Sequence, residues 1–487
     1  MQQTQPFTES PDGASRPSPK KGYSIHHAVI IAAGSGMRFG KATQFRPKPL
    51  IDVAGVPLIL RTILTARKAG IDHFTVVTGY RAEVIEDFLR REVPGDIFVQ
   101  CVRNDKWQLP NGLSVLRAKG CAPERFVLLM SDHLFDADIL KKLLADPLIP
   151  GHCRLAVDFR TENIVDLEDA TKVLVEAGKL TDIGKEITCY NAIDTGIFLC
   201  SHALFDALEA SASQGRESLS DGIRELIRNQ CMEATDVSSL FWQDIDTARD
   251  LKEGKKRLLK TLISKKDNWI TRNINRRISL LVTAQLAKTS IRPNHITLFN
   301  FALGIIAVIC MLPGTYLASL MGVSLFLVAS ILDGCDGEIA RLKFQQTHFG
   351  AWLDTTTDNA VYIALFICMT IGQVNATGST LYFLPGGFLV SGSLASFALA
   401  VAGHQRLNQW RGPVFSESRL QDVLLTSSQE KLAVWIDRMA NRDFAYLLVF
   451  LALIDRLHWF LWMAGIGAPV FAFLIHRVLV HDRLQEA

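Results

Sequence analysis

Two textures of hydrophobic and polar positions divide the chain. In residues 25–250, short apolar runs (AVIIAAG, HFTVVTGY, RFVLLMSD, CRLAVDF, GIFLC) alternate with longer amphipathic stretches. The runs are rich in Val, Ile and Phe and give way to Gly, Asp or Ser, the pattern of buried parallel strands between helices. It predicts an N-terminal α/β three-layer, Rossmann-like domain with ligands at the carboxyl ends of its strands. After residue 295 the texture changes. No Asp, Glu, Lys or Arg occurs from Ile296 to Leu332, a run of 37 residues broken near Pro313-Gly314. A bilayer span takes about 20 residues, so this run predicts two spans and a tight turn. The uncharged run Asn359–Gln405 completes a third span and adds a polar turn (GQVNATGST) and a fourth span. Residues 443–480 add a fifth and a sixth around Asp455-Arg456, which makes the C-terminal part an all-α six-helix transmembrane bundle.

The segments between these regions are polar or basic. Residues 1–24 are rich in Pro and Ser without an apolar core, which reads as a flexible tail rather than a signal peptide. Residues 251–280 mix Lys and Arg with Leu, Ile and Trp, as a juxtamembrane helix on anionic lipid does. The membrane domain then occupies residues 281–487. Lys and Arg crowd before span one, between spans two and three (Arg341, Lys343), between four and five (Arg406, Arg411, Arg419, Lys431, Arg438) and at the end (Arg477, Arg483). The turns 313–316 and 372–379 carry none, so the positive-inside rule puts both termini on the cytoplasmic side of the cell (inner) membrane.

Composition narrows the class further. With 48% hydrophobic and 21% charged residues, the 487-residue chain is neither disordered nor collagenous. A net charge of +3 gives no argument for nucleic acid. Nine cysteines without a CxxC pair support neither a zinc ribbon nor a disulfide framework, and they fit a reducing compartment.

The first chemical signal follows the first apolar run. In Ala33-Gly34-Ser35-Gly36, small residues let backbone N–H groups approach phosphates. Arg38 and Lys48 add fixed cations for a triphosphate. The Walker pattern is absent, and the third glycine of a dinucleotide fingerprint is misplaced. With GxGxR followed by Pro47-Lys48-Pro49-Leu50, residues 25–250 resemble the nucleotidyltransferase family, which joins a nucleoside triphosphate to a sugar or alcohol phosphate. The resemblance implies that Asp132 holds Mg²⁺ with a second carboxylate, Asp244 or Asp246, between which the sequence does not choose. It implies base reading by Asn111, Gly112 and Ser114, capture of the acceptor phosphate by Lys185, and hydrogen bonds from acceptor hydroxyls to Asp194. The acceptor phosphate, already ionised, would attack the α-phosphorus in line and release pyrophosphate. Catalysis is then positioning plus charge neutralisation by the ion, Arg38, Lys48 and Lys185.

The second signal is Asp333-x2-Asp336-Gly337-x2-Ala340-Arg341-x8-Gly350-x3-Asp354-x3-Asp358. The i, i+3 and i, i+4 spacings place Asp333 and Asp336 on one helical face and Asp354 and Asp358 on another. Four such carboxylates beside a membrane call for one or two divalent ions, Mg²⁺ or Mn²⁺. All eight positions match the signature of the CDP-alcohol phosphotransferase family, which residues 270–487 resemble. Members are six-span membrane proteins, usually dimers, in which an alcohol displaces CMP from a CDP-linked donor. The resemblance implies that Asp333, Asp336 and Asp354 ligate metal. Asp358 completes the site and acts as general base. Gly337, Ala340 and Arg341 would line the CDP. Lys343, Arg406 and Arg411 could bind an anionic acceptor, although the positive-inside rule accounts for them equally well.

One half makes a nucleotide-linked alcohol and the other consumes a CDP-linked one, which points to CTP as the nucleotide. The order resembles bifunctional enzymes that convert CTP and inositol 1-phosphate into CDP-inositol, then join it to a second inositol 1-phosphate. The residues leave open another alcohol phosphate, a lipid acceptor, or CDP-diacylglycerol as donor for the membrane half. A transporter or receptor is disfavoured, because transporters carry their charges near the bilayer midplane and these aspartates lie at helix ends.

Overall fold

A computed structural model of the chain describes residues 25–39, 46–163, 167, 169–263, 267–407 and 444–486. Its contacts divide it into two compact units, with the boundary between Asp250 and Leu251. The hairpin Asp52–Pro57 groups with the second unit.

Thirteen strands occur among the described residues: β1 (His27–Ala32), β2 (Asp52–Val53), β3 (Val56–Pro57), β4 (His73–Thr78), β5 (Phe98–Arg103), β6 (Arg125–Met130), β7 (His133–Phe135), β8 (Cys153–Asp158), β9 (Lys172–Glu176), β10 (Lys179–Gly184), β11 (Ala192–Ser201), β12 (Met232–Asp236) and β13 (Trp242–Asp244). Nine of them form one sheet in the order β5-β4-β1-β6-β11-β8-β12-β10-β9. Neighbours β5, β4, β1 and β6 run parallel, as their continuous apolar character predicts. Alternation within β1 sends Ile30 to a cluster with Ile59, Ile85 and Ile139, and Val29 to a second with Val115, Phe205 and Ile223. Those partners lie on helices α1 (Leu58–Lys68), α2 (Ala82–Glu92), α3 (Asn111–Leu116), α4 (Ala137–Ala145), α5 (Ala203–Ala212) and α6 (Leu219–Arg228), which complete three layers.

One run departs from the parallel expectation. GIFLC lies in β11, which is antiparallel to both β6 and β8. The physical reason is its entry. A parallel neighbour needs a long crossover. β11 instead follows the β9–β10 hairpin, whose turn residues Ala177 and Gly178 both have positive φ (49° and 77°), as a tight two-residue turn requires.

The second unit begins within α7 (Ala248–Lys260) and continues through α8 (Arg276–Leu286), α9 (Pro293–Ile309), α10 (Tyr316–Leu332), α11 (Gly334–Leu342), α12 (His348–Thr377), α13 (Phe383–Leu407), α14 (Phe444–Leu453) and α15 (Leu457–Glu486). Four stretches are long and apolar enough to cross a membrane: Tyr316–Leu342, His348–Thr377, Thr380–Leu399 and Leu457–Leu474. Two further apolar helices, α9 and α14, are shorter, at 17 and 10 residues. The sequence pattern anticipates six spans, and six apolar helices are present among the described residues. The helices α9 and α10 meet at Gly314, in the left-handed region at φ 70°, where a Cβ would overlap the Gly372 carbonyl of α12. Such close backbone approach replaces the hydrophobic drive that is missing between helices in lipid. Val308, Val323, Phe326, Leu365, Leu448 and Leu461 pack inward, while Phe299, Leu317, Ile367, Phe388 and Ile466 stay exposed, as lipid-facing positions do.

A buried carboxylate ties α8 to α11. Glu338, fully buried, accepts hydrogen bonds from Arg276 Nη1 (2.9 Å), Ser279 Oγ (2.7 Å) and Thr283 Oγ1 (2.6 Å). Arg276 Nε also donates to Asp267 at 3.0 Å. Replacing Glu338 by Ala leaves Asp267 as the guanidinium's remaining carboxylate and removes three hydrogen bonds, and the expected loss of stability is about 2 kcal/mol. Thermal unfolding of the full chain in detergent checks this; a shift below about 1 °C would contradict it.

Candidate active sites

In the first unit, the sheet delivers several charged side chains to the carboxyl ends of its strands. After β1 the chain turns through Ala33, Gly34, Ser35 and Gly36 into a single 3₁₀ turn, Met37–Phe39. Gly36 has φ 65°, and a Cβ there would lie 2.7 Å from Lys48 Cβ. Its bareness lets the buried Lys48 pass beneath the loop. Ala33 is buried, whereas Gly34 is exposed with open space beside it.

From there an alternating chain of charges crosses the site. Lys185 Nζ donates to Asp169 Oδ1 at 2.5 Å, and Asp169 also accepts from Arg38. Arg38 Nη1 donates to Asp246 Oδ2 at 2.6 Å. Lys48 Nζ donates to Asp246 Oδ1 and to Asp132 Oδ2, both at 2.6 Å. Burial would lower the Lys48 pKa, but Asp132, Asp244 and Asp246 outweigh it and hold the ammonium well above its ordinary range. Burial would raise Asp132, yet Lys48 and His133 bring it down to about 2. At Asp194 burial prevails over the nearby His133. Burial, with Asp244 adding to it, pushes its carboxyl up to about 6 despite the bond from Gly196 N (2.7 Å).

Asp244 and Asp246 take different places. β13 pairs antiparallel with β7 in a register that sets Asp244 opposite His133. Asp132, His133 and Asp244 each offer a donor atom within 4.8 Å of the others. Asp246, past the end of the strand, faces Arg38 and Lys48 instead. Two carboxylates and an imidazole suit a divalent ion.

Asn111, Gly112 and Ser114 are used by the fold. Asn111 Oδ1 accepts from Leu219 N at 2.9 Å, and a Cβ on Gly112 would overlap the Glu217 carbonyl. Buried Ser114 accepts from Asn104 Nδ2 at 2.9 Å. Asn111 and Gly112 fasten α3 to the start of α6, and Ser114 fastens it to the segment after β5. Sequence reasoning missed Asp169 and His133: no motif marks the first, and the second is visible only as the neighbour of Asp132.

In the second unit, Asp333, Asp354 and Asp358 converge, with donor atoms within 4.8 Å of one another. Hard oxygen donors of this kind fit Mg²⁺ or Mn²⁺. Asp333 and Asp336 both turn toward α9, meeting residues one turn apart on that helix, Asn300 and Thr297. Asp333 forms the joint between α10 and α11, accepting from Asn300 Nδ2 at 3.2 Å. Asp336 is buried and accepts from Thr297 Oγ1 of α9 and from Gly337 N. Asp333 and Asp358 line a small cleft together with Thr297, Asn300, Phe326 and Tyr362. Among the described residues the buried Nε of Arg341 has no hydrogen-bond partner, and its Nη1 lies close to the bare face of Gly337. Ala340 is half-buried one position before it. Gly350 lies tight against Thr347 and Asn294. Lys343 Nζ donates to the Thr289 carbonyl at 2.6 Å. Arg406 lies in the last turn of α13, and Arg411 lies outside the described residues.

Comparison with known proteins follows the same division. Residues 28–230 match the family described as MobA-like NTP transferase domain, and residues 290–426 match CDP-alcohol phosphatidyltransferase. A protein of Aquifex aeolicus named "Bifunctional IPC transferase and DIPP synthase" is 33% identical over 349 residues, 71% of this chain and 77% of its own length. A protein of the same name from Rubrobacter xylanophilus is 33% identical over 379 residues, 77% of this chain and 84% of its own. The solved inositol-1-phosphate CTP transferase from T. maritima is 27% identical, with a TM-score of 0.44, over 48% of this chain and 94% of that one.

Gly196, at φ 70°, is the position where the first site is least tolerant, since a Cβ would overlap the His133 ring. G196A is expected to destabilise the α/β unit by about 2 kcal/mol through strain and overpacking. Chemical denaturation followed by tryptophan fluorescence tests this, and an unchanged midpoint would refute it.

Proposed function

The chain belongs to the bifunctional IPC transferase and DIPP synthase family, and on that premise we propose an assignment of its two reactions to named side chains. In the first reaction, CTP and inositol 1-phosphate give CDP-inositol and pyrophosphate. In the second, CDP-inositol and another inositol 1-phosphate give di-myo-inositol phosphate phosphate and CMP. The observation that carries the assignment is the pair of separate carboxylate groups, one beside Lys48 and one at the joint of α10 and α11.

In the first site, Arg38 and Lys48 exchange Asp246 and Asp132 for triphosphate oxygens, and Lys185 exchanges Asp169 for the acceptor's phosphate. Each cation is already held in place by a carboxylate, so little reorganisation precedes reaction. Asp194 accepts hydrogen bonds from inositol hydroxyls. With a pKa near 6 it is mostly ionised at neutral pH and loses that capacity as the pH falls below 6. Asp132 and Asp244 hold Mg²⁺, which supplies charge neutralisation when bound. Backbone groups of residues 33–36 cradle the phosphates.

In the second site, Asp333, Asp336 and Asp354 hold the ion, and Asp358 takes the proton of the acceptor hydroxyl. Asp336 reaches the ion by giving up Thr297. Gly337, Ala340 and Arg341 line the CDP moiety, the unpartnered Nε of Arg341 facing phosphate oxygen. Arg406 and Arg411 receive the acceptor's anionic group, with Lys343 a further cation if it leaves Thr289. The C-terminal half is membrane-embedded. The N-terminal domain and C-terminus are cytoplasmic, at the inner membrane, and the chain is a homodimer. The apolar part of the cleft, Phe301, Phe326 and Val361, favours one second reading, a lipid-bearing donor such as CDP-diacylglycerol.

Two variants of the full chain separate the halves. D132N is expected to lose pyrophosphate release by at least ~100-fold while CMP release from supplied CDP-inositol persists; D358N is expected to do the reverse. Loss of both activities in either variant would overturn the assignment. Release of CMP from CDP-diacylglycerol in preference to CDP-inositol would favour the second reading. Chelation of divalent ions is expected to stop both reactions, and added Mg²⁺ to restore them, in the same pyrophosphate and CMP assays.

A further inference from the structure

His133 has no part in the reaction as derived above, yet the fold is arranged around its ring. It opens β7 directly after Asp132, and the β7–β13 register sets it opposite Asp244. Directly paired residues on antiparallel strands project to the same face, about 5 Å apart at Cβ. Trp242 packs beside the ring, with centroids 6.4 Å apart. Gly196 leaves the space that the ring fills.

The hydrogen bonding selects one tautomer. His133 Nδ1 lies 2.9 Å from the Thr195 carbonyl, which can only accept, so Nδ1 carries a proton. The other nitrogen, Nε2, points between two carboxylates, 3.4 Å from Asp244 Oδ1 and 3.7 Å from Asp132 Oδ1. Those separations are long for hydrogen bonds. They are close to the roughly 3.0–3.4 Å edge between neighbouring donors on one ion with bonds of about 2.1 Å. A ligating histidine is commonly oriented by a carbonyl on its far nitrogen, the role Thr195 fills.

Resting on the assignment of Asp132 and Asp244 as ion-holding residues, we propose that His133 is the third protein ligand of the first site, through Nε2. A nitrogen in the donor set biases the site toward Mn²⁺ and Co²⁺ relative to Mg²⁺, more than carboxylates alone would. The chain then carries two divalent sites of different character, a mixed nitrogen–oxygen one and an all-oxygen one.

The test uses the full chain in detergent with the second site silenced by D354N and D358N. Pulsed electron paramagnetic resonance of bound Mn²⁺ is expected to show coupling to a ligand nitrogen, and H133Q to abolish it. Titration is expected to show Co²⁺ affinity falling at least ~10-fold in H133Q, with Mg²⁺ affinity changing much less. Absence of nitrogen coupling in the chain that retains His133 would overturn the proposal, even if H133Q failed to fold. An unchanged Co²⁺-to-Mg²⁺ ratio in folded H133Q would overturn it as well. D132N and D244N provide the separate control: if neither weakens ion binding, the assignment of those aspartates fails first.

Discussion

Carboxylates held a few ångströms apart repel one another strongly unless positive charge stands between them, and that constraint shapes both halves of this chain. In the α/β unit the compensation is built in. Asp169, Asp246 and Asp132 are interleaved with Lys185, Arg38 and Lys48, so these six charges offset one another. In the helical unit Asp333, Asp354 and Asp358 converge, and Asp333 accepts from the amide of Asn300.

Each fold supplies the rigidity that such arrangements need. Lys48 reaches Asp132 and Asp246 because Gly36 carries no side chain above it. The acidic helix α11 is anchored from outside by Glu338, whose three donors all come from α8. That anchor gives the basic juxtamembrane segment a structural task in addition to any contact with lipid. The same helix presents Asp336 to Thr297 on α9, and residues of α9, α10 and α12 line the cleft beside it.

Much of the chemistry was legible from residue type and spacing, since phosphate and divalent metal demand small loops, fixed cations and clustered acids. Arg38, Lys48, Lys185 and Asp132 could be named from motifs, and the structure joins them through shared carboxylates. Asp169 could not, because an aspartate in an acidic loop has no distinguishing neighbour in sequence. The base-reading candidates carry a structural task as well. Asn111 and Gly112 serve the junction of α3 with the start of α6, and Ser114 bonds the segment after β5.

The amino-acid sequence alone determined the division into an α/β domain and an apolar helical one, because burial pattern and charge-free length are properties of short windows. It also determined which residue types could serve phosphate and metal. Tertiary structure decided the direction of β11, the separation of Asp244 from Asp246, the turning of Asp336 toward Thr297, and the place of His133. Those outcomes depend on strand register and helix packing between segments far apart in the chain. No local pattern encodes which way a carboxylate points once its strand ends or its helix meets another.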